Sequence, residues 1–316
     1  MTPTSATSSC CSRSACLAPR SRSTGSRGGS RRPQRATRNR YKEAYKSMKH
    51  SIAIVGLGWV GRAMHQEFPD AAIYDEPLQL GTREAVNACD VAFVCVPTPN
   101  PGRGALDTSI VERVIAWLET PLIVLRSTVN PGFTDLMRQR YGRRIVFQPE
   151  YLGESVAHPL MHLRERTFLI LGGEPADRRE AIEVYQQVFN ASVRIRQTDA
   201  LTAELIKLAE NRAIAHRVAE AQELYDLCEA AGVDYYTVRE GVYQDDPRMS
   251  PYWTFVYPQE RGFDSKCIPK DVYALTAYAR QLHAPLEVTE ALLERNERYL
   301  RRLTVAAAPA QSELAS

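Results

Sequence analysis

The sequence predicts an α/β fold, a doubly wound parallel sheet followed by an all-α domain. Three observations lead there. Apolar, β-branched runs alternate with a helical pattern between residues 51 and 150, the arrangement that packs as a parallel sheet under helices. The first run ends in a turn with three spaced glycines. From Thr198 onward, helical periodicity replaces the strands.

The chain has 316 residues, 44% of them hydrophobic, enough for one large or two medium domains. Its formal charge of +3 hides an uneven distribution. Residues 1–47 hold eleven Lys or Arg and one acid, Glu43, whereas residues 48–316 hold 29 basic and 36 acidic residues. The body is therefore acidic, which argues against nucleic-acid binding. No apolar run reaches transmembrane length, so no membrane partner is expected. Cys89, Cys95, Cys228 and Cys267 of the body have no metal-ligand spacing, so no metal is expected either. This cysteine usage suits a reducing compartment, and a cytoplasmic location is the expectation.

Residues 1–47 are rich in Ser, Arg, Thr and Gly and are expected to be a disordered basic tail. Three readings fit: a transit peptide, a basic arm, or a start placed upstream of the true one. The last is favoured, because Met48 opens MKHSIAIVGLG, a natural beginning for a first strand. A dinucleotide-binding domain is expected over 48–197, a helical domain over 198–305, and a loose end over 306–316.

SIAIVGLGWVG (51–61) is a buried-type strand running into Gly56, Gly58 and Gly61. In this G-x-G-x-x-G turn the first glycine makes the bend. The second lets backbone approach a pyrophosphate, and the third lets the next helix pack closely. This is the Rossmann pattern. Asp75 follows Gly56 by nineteen residues, at the end of the second apolar run. An acid there accepts from ribose hydroxyls and repels a 2′-phosphate, so NAD is expected rather than NADP. Further strands are expected in 90–99, 121–129 and 144–150, with a helix in 111–119 between the first two. Ligands bind at the carboxyl ends of such strands, so Thr98, Ser127, Thr128 and Glu150 should face the crevice.

The stretch from Thr198 to Asp234 predicts one helix of about thirty residues. Thr198 or Asp199 can cap its start and Gly232 its end. Leu201, Leu205, Leu208, Ile214 and Val218 form an apolar stripe. Lys207 and Asn211 are four apart and share a face; on spacing alone a solvated surface pair fits as well as an oxygen-binding pair. RGFDSKCIPKD (261–271) places Cys267 among Lys266, Lys270 and Asp271. A buried structural thiol and a nucleophile are the two readings.

In order, GLGWVG, FVCVPTP, STVNPGF, QPEYLGES, ELIKLAEN, DDPRM and GFDSKCIPKD resemble the UDP-glucose/GDP-mannose dehydrogenase family, from about residue 51 to 305. The resemblance implies oxidation of a nucleotide-sugar C6 alcohol to the carboxylate with reduction of two NAD. It implies Cys267 as the nucleophile that forms a thiohemiacetal and then a thioester. Lys207 and Asn211 would hold the oxyanion, and Glu150 would be the base for water, with Glu154 close by. Thr128 and Asp271 would position a water or the lysine. It further implies an NAD site of Gly56, Gly58, Gly61, Asp75, Thr98, Thr128 and Glu154. Substrate contacts would come from Glu150, Glu154, Lys207, Asn211, Gly262 and Phe263, and a homodimer would form through the helical domain.

Three departures from the family pattern stand out. The usual GFGG before the cysteine is Gly262-Phe263-Asp264-Ser265. Only about fifteen residues separate Asp75 from the next strand, so a helix and a strand of the family fold are expected to be missing or replaced. Family members continue into a third, nucleotide-binding domain beyond the helix that starts near APLEVTEALLERNERYLRRL. Two other functions therefore compete: a two-electron β-hydroxyacid dehydrogenase, and a non-catalytic NAD-binding protein.

Overall fold

The structure is a computed structural model, and it describes residues 50–100, 102–151, 167–189 and 192–301, with the backbone of the last helix continuing to 307. The basic tail 1–47, Glu154 and the end from 308 lie outside the described residues. The described residues fall in one compact unit.

Among the described residues seven strands make one sheet: β1 (Ile52–Val55), β2 (Ala72–Tyr74), β3 (Val91–Val94), β4 (Leu122–Leu125), β5 (Ile145–Phe147), β6 (Phe168–Gly172) and β7 (Arg194–Thr198). Their order is β2-β1-β3-β4-β5-β6-β7. IAIV, VAFV and LIVL are buried throughout, as a parallel strand covered on both faces must be. Alternate residues serve opposite faces. Ala53, Val55, Ala92, Val94, Ile123 and Leu125 join one core with Val111 and Ile115 of α3 (Ser109–Trp117) and Phe133 and Met137 of α4 (Phe133–Tyr141). Ile54, Phe93 and Val124 join the other, with Met64 of α1 (Trp59–Glu67) and Ala181, Val184 and Tyr185 of α5 (Pro175–Tyr185).

The sheet departs from the expected all-parallel form at one side. The first five strands in the order are parallel, but β6 is antiparallel to β5 and β7 parallel to β6. An antiparallel addition to one side of a parallel sheet is a common solution. The outermost strand, RIRQT, carries arginines and little buried surface, which suits an edge.

The short stretch after Asp75 has a simple outcome. Asp75 and Leu80 pair as an antiparallel bridge. A five-residue helix, α2 (Arg83–Asn87), follows, with Thr82 Oγ1 accepting from Ala85 N at 3.2 Å. The chain then enters β3 beside β1, so among the described residues β2 is the sheet edge opposite β7.

The helical part is built on α6 (Ala200–Ala231), 32 residues long. Asp199 caps it, its Oδ1 accepting from Thr202 N at 2.8 Å, and Gly232 ends it in the left-handed conformation. Against it lie α7 (Tyr235–Arg239), followed by one π-helical turn, then α8 (Ile268–Gln281) and α9 (Glu287–Ala307). α9 thus runs two residues into the stretch expected to be loose. Ala215 of α6, Phe263, Val272 of α8, and Leu292 and Leu293 of α9 share one core cluster. No described helix is long and apolar enough to cross a membrane.

Candidate active site

The glycine turn is forced by its neighbours. Gly56 has φ +92°, and a Cβ there would sit 2.9 Å from the Cys95 carbonyl oxygen. A Cβ on Gly61 would lie 1.9 Å from the Gly56 oxygen, so α1 can start against the turn only as glycine. Nothing lies within 4 Å of a Cβ on Gly58, the N-cap of α1. That leaves open space at a helix N-terminus, where an anion is favoured.

Asp75, at the end of β2, closes this turn from the side. Its Oδ2 accepts from Leu57 N at 2.6 Å and its Oδ1 from Leu78 N at 2.9 Å. Each oxygen keeps acceptor capacity for a hydroxyl. Thr98, after β3, is buried; Thr128, after β4, is half-buried. Ser127 Oγ donates to the Val96 carbonyl at 2.7 Å and ties these two strand ends together. The turn, the acid and the threonines thus sit at the carboxyl ends of adjacent strands, and they fit a dinucleotide.

Lys207 and Asn211 are not a solvated pair: both are buried, 8% and 4% exposed. Lys207 Nζ donates to Glu210 Oε2 at 2.9 Å and to Asn211 Oδ1 at 3.2 Å, and lies 5.0 Å over the Tyr151 ring. Asn211 Nδ2 donates to Asp271 Oδ2. Asp271, on α8 and 1% exposed, accepts from Lys270 Nζ at 2.6 Å through its other oxygen. Its amide donates to the Cys267 carbonyl at 3.2 Å. Cys267 itself is exposed, at the N-cap of α8, which rules out the reading as a buried structural thiol. Glu210, Lys207, Asn211, Asp271 and Lys270 therefore form one chain of contacts that joins α6 to the first turn of α8, the helix that Cys267 N-caps. The loop after β3 joins them, with Asn100 Nδ2 donating to the Lys270 carbonyl at 3.3 Å.

Glu150 is buried beyond β5, and its Oε1 accepts from Tyr151 N at 2.6 Å. Its Oε2 is ion-paired with Arg126. Arg126 is 2% exposed and also donates to Gln148 Oε1 and, at 3.0 Å, to the Tyr185 hydroxyl. The expected base is therefore a held carboxylate. Gly262 sits at φ +85°. The Phe263 side chain is buried in the helical core, and Asn296 takes both its backbone polar groups, at 2.7 and 2.9 Å. The Phe263 side chain therefore faces the protein interior.

Arg126, Glu210 and Tyr151 are the site neighbours that sequence reasoning passed over. A charge inside the apolar run LIVLRS was the available signal for Arg126, since a buried charge demands a partner. Among the described residues no group of side chains has the makings of a metal site.

Two models of a single family match this chain. The UDP-glucose/GDP-mannose dehydrogenase family NAD binding domain matches residues 66–189, and that family's central domain matches 201–298. The first match begins after Gly61 and so does not cover the glycine turn. The UDP-glucose 6-dehydrogenase TuaD of Bacillus subtilis is 30% identical over 68% of this chain and 48% of its own. The GDP-mannose 6-dehydrogenase of Pseudomonas aeruginosa is 29% identical over 70% of this chain and 53% of its own. The chain spans about half the length of the curated relatives it matches. A UDP-glucose dehydrogenase structure from Pyrobaculum islandicum shares the fold, with a TM-score of 0.67 at 24% identity over 79% of this chain and 68% of that one.

Proposed function

The chain belongs to the UDP-glucose/GDP-mannose dehydrogenase family, with NAD as its cofactor, and from that premise we propose that it oxidises the C6 alcohol of a nucleotide sugar to the carboxylate through a thioester on Cys267. The observation that carries this reading is an exposed cysteine at the N-cap of α8, whose first turn holds Asp271, bonded to Lys270 and to Asn211 of the buried Lys207–Asn211 pair.

Gly56, Gly58, Gly61, Asp75, Thr98 and Thr128 would hold NAD, which supplies the acceptor for one hydride each time it binds, two NAD being used in turn. Cys267 Sγ adds to the aldehyde carbon, giving a thiohemiacetal whose oxygen carries the charge. Lys207 has three N–H donors and Asn211 two. Two of the lysine's go to Glu210 and Asn211, and one of the asparagine's goes to Asp271. One donor on each is left for that oxyanion. Asp271 fixes the amide's orientation, so the donors are aimed before the substrate arrives. After the second hydride leaves, water attacks the thioester and releases the acid and the thiol. Glu150, steadied by Arg126, is our candidate to take the proton of that water, with Thr128 placing it. Gly262 would let the loop backbone approach the sugar.

Counting NADH per product tests this. The full chain is incubated with NAD and a panel of UDP- and GDP-sugars, and NADH is followed by absorbance. Two NADH per acid, lost in Cys267→Ala, is the expected result. One NADH per product with a ketone formed from small hydroxyacids would overturn it in favour of two-electron oxidation. NAD binding without turnover on any substrate would point to a non-catalytic role.

A further inference from the structure

We infer that Arg261 is a positioning residue, setting the loop that carries Cys267; this rests on the reading of Cys267 as the nucleophile. The Arg261 side chain is 14% exposed. Its Nε donates to Gln222 Oε1, and its Nη2 donates to the Gln222 carbonyl at 3.1 Å and to Asp226 Oδ1 at 2.6 Å. Its guanidinium carbon lies 4.8 Å from the ring of Tyr225 on α6 and 4.8 Å from the ring of Tyr299 on α9. The Tyr299 hydroxyl donates to Asp226 Oδ2 at 2.8 Å, and Arg295 Nη2 reaches the same oxygen at 3.1 Å. One planar cation is thus gripped from two helices at once. A lysine at this position has one point charge, no fork and no flat face to lay against the rings.

The next two residues continue the grip. Gly262 has φ +85°, and a Cβ there would come 2.7 Å from Asn296 Oδ1. Asn296 accepts from Phe263 N and donates to the Phe263 carbonyl. Residues 261–263 are therefore fixed by side chain, by backbone conformation and by backbone hydrogen bonds in turn. Asp264, Ser265, Lys266 and Cys267 follow, all exposed. Beyond them, Ile268 N donates to Ser265 Oγ at 3.2 Å. Where the family pattern has a glycine-rich GFGG run, this chain has bulkier residues and a firm clamp just upstream. A nucleophile misplaced by about 1 Å loses on the order of a hundredfold in rate, so the stem matters to the thiol it carries.

The test uses Arg261→Lys and Asp226→Asn in the full chain, with amide exchange and alkylation of Cys267 by iodoacetamide followed on its own peptide. In Arg261→Lys, exchange over 262–267 is expected to speed up about tenfold while the sheet is unchanged. The Cys267 alkylation rate is expected to change about threefold or more. Asp226→Asn should do the same, and the double variant should do little more than either single one. Tyr299→Phe, a milder change that keeps the ring, stands in should Arg261→Lys fail to fold. A lowered melting temperature with unchanged loop exchange and unchanged alkylation would overturn the inference, leaving Arg261 a stabilising residue only. None of these readouts needs turnover, so a chain inactive on every sugar nucleotide would refute the proposed function and leave this result standing.

Discussion

Lys207 stands where an amphipathic helix ordinarily puts a hydrophobe, and it stays there because Glu210, Asn211 and the Tyr151 ring surround its ammonium group. Burying a charge is tolerated only with such partners. Lys207→Met keeps the stem and removes the charge, so the fold should survive. With the oxyanion donor gone, kcat should fall on the order of 100–1,000-fold while NAD affinity stays unchanged; steady-state rates and NAD titration check both. Gly61→Ala should do the reverse. Its Cβ would strike the Gly56 oxygen, forcing α1 away from the turn. NAD binding should weaken tenfold or more and stability fall by about 1–3 kcal/mol, the usual cost of overpacking. Calorimetric titration and thermal melting would measure these, and normal NAD affinity in the variant would show that the turn is not the cofactor site.

Among the elements, α6 was the most legible in the sequence and the most misleading in its details. Its length and both ends follow from Asp199, Gly232 and the pattern between. Asp199→Ala should cost about 1 kcal/mol, as lost N-caps do, read by urea unfolding. The apolar stripe was legible only in part. Leu208 and Ile214 are buried, but Leu201, Leu205 and Val218 are half-exposed, while the polar Glu204, Lys207, Asn211 and Gln222 are buried. Helical periodicity finds a face, but it does not distinguish a hydrophobic core from a polar interior whose partners come from elsewhere in the chain. The first five strands are legible as apolar runs and appear as such; β6 and β7 were not expected, and RIRQT is too polar and exposed to stand out as a strand. Nor was the reversal at β6 legible, because strand direction leaves no trace in a run of apolar residues. Arg261's partners lie 35 to 39 residues away in sequence, beyond any local pattern.

At the scale of the whole molecule, two carboxylates on α6 fasten the helical part at different points, and pH should act on them in opposite senses. Glu204 is fully buried, its oxygens accepting from Gly132 N at 2.6 Å and Thr134 N at 2.9 Å at the start of α4. Burial raises its pKa above the usual 4.5, outweighing the pull of those amide donors. A raised folded pKa contributes stability that is fully present below the unfolded value and lost as pH rises through the folded one. Burial also raises Asp226, but the Arg261 and Tyr299 hydrogen bonds and the charges of Arg261 and Arg295 overcome it, leaving its pKa below the usual 3.8. A lowered folded pKa contributes stability that is present above the unfolded value and lost as pH falls through the folded one. The stability gap between wild type and Glu204→Gln should therefore be widest below pH 4.5 and narrow as pH rises. The gap to Asp226→Asn should be full at neutral pH and close once pH falls below 3.8. Urea unfolding of the three proteins across that range would show two curves of opposite slope. Parallel curves would mean that neither carboxylate carries its dock through its charge. Acid thus removes the charge that the Arg261 clamp holds at Asp226, whereas at Glu204 it relieves the cost of a buried carboxylate.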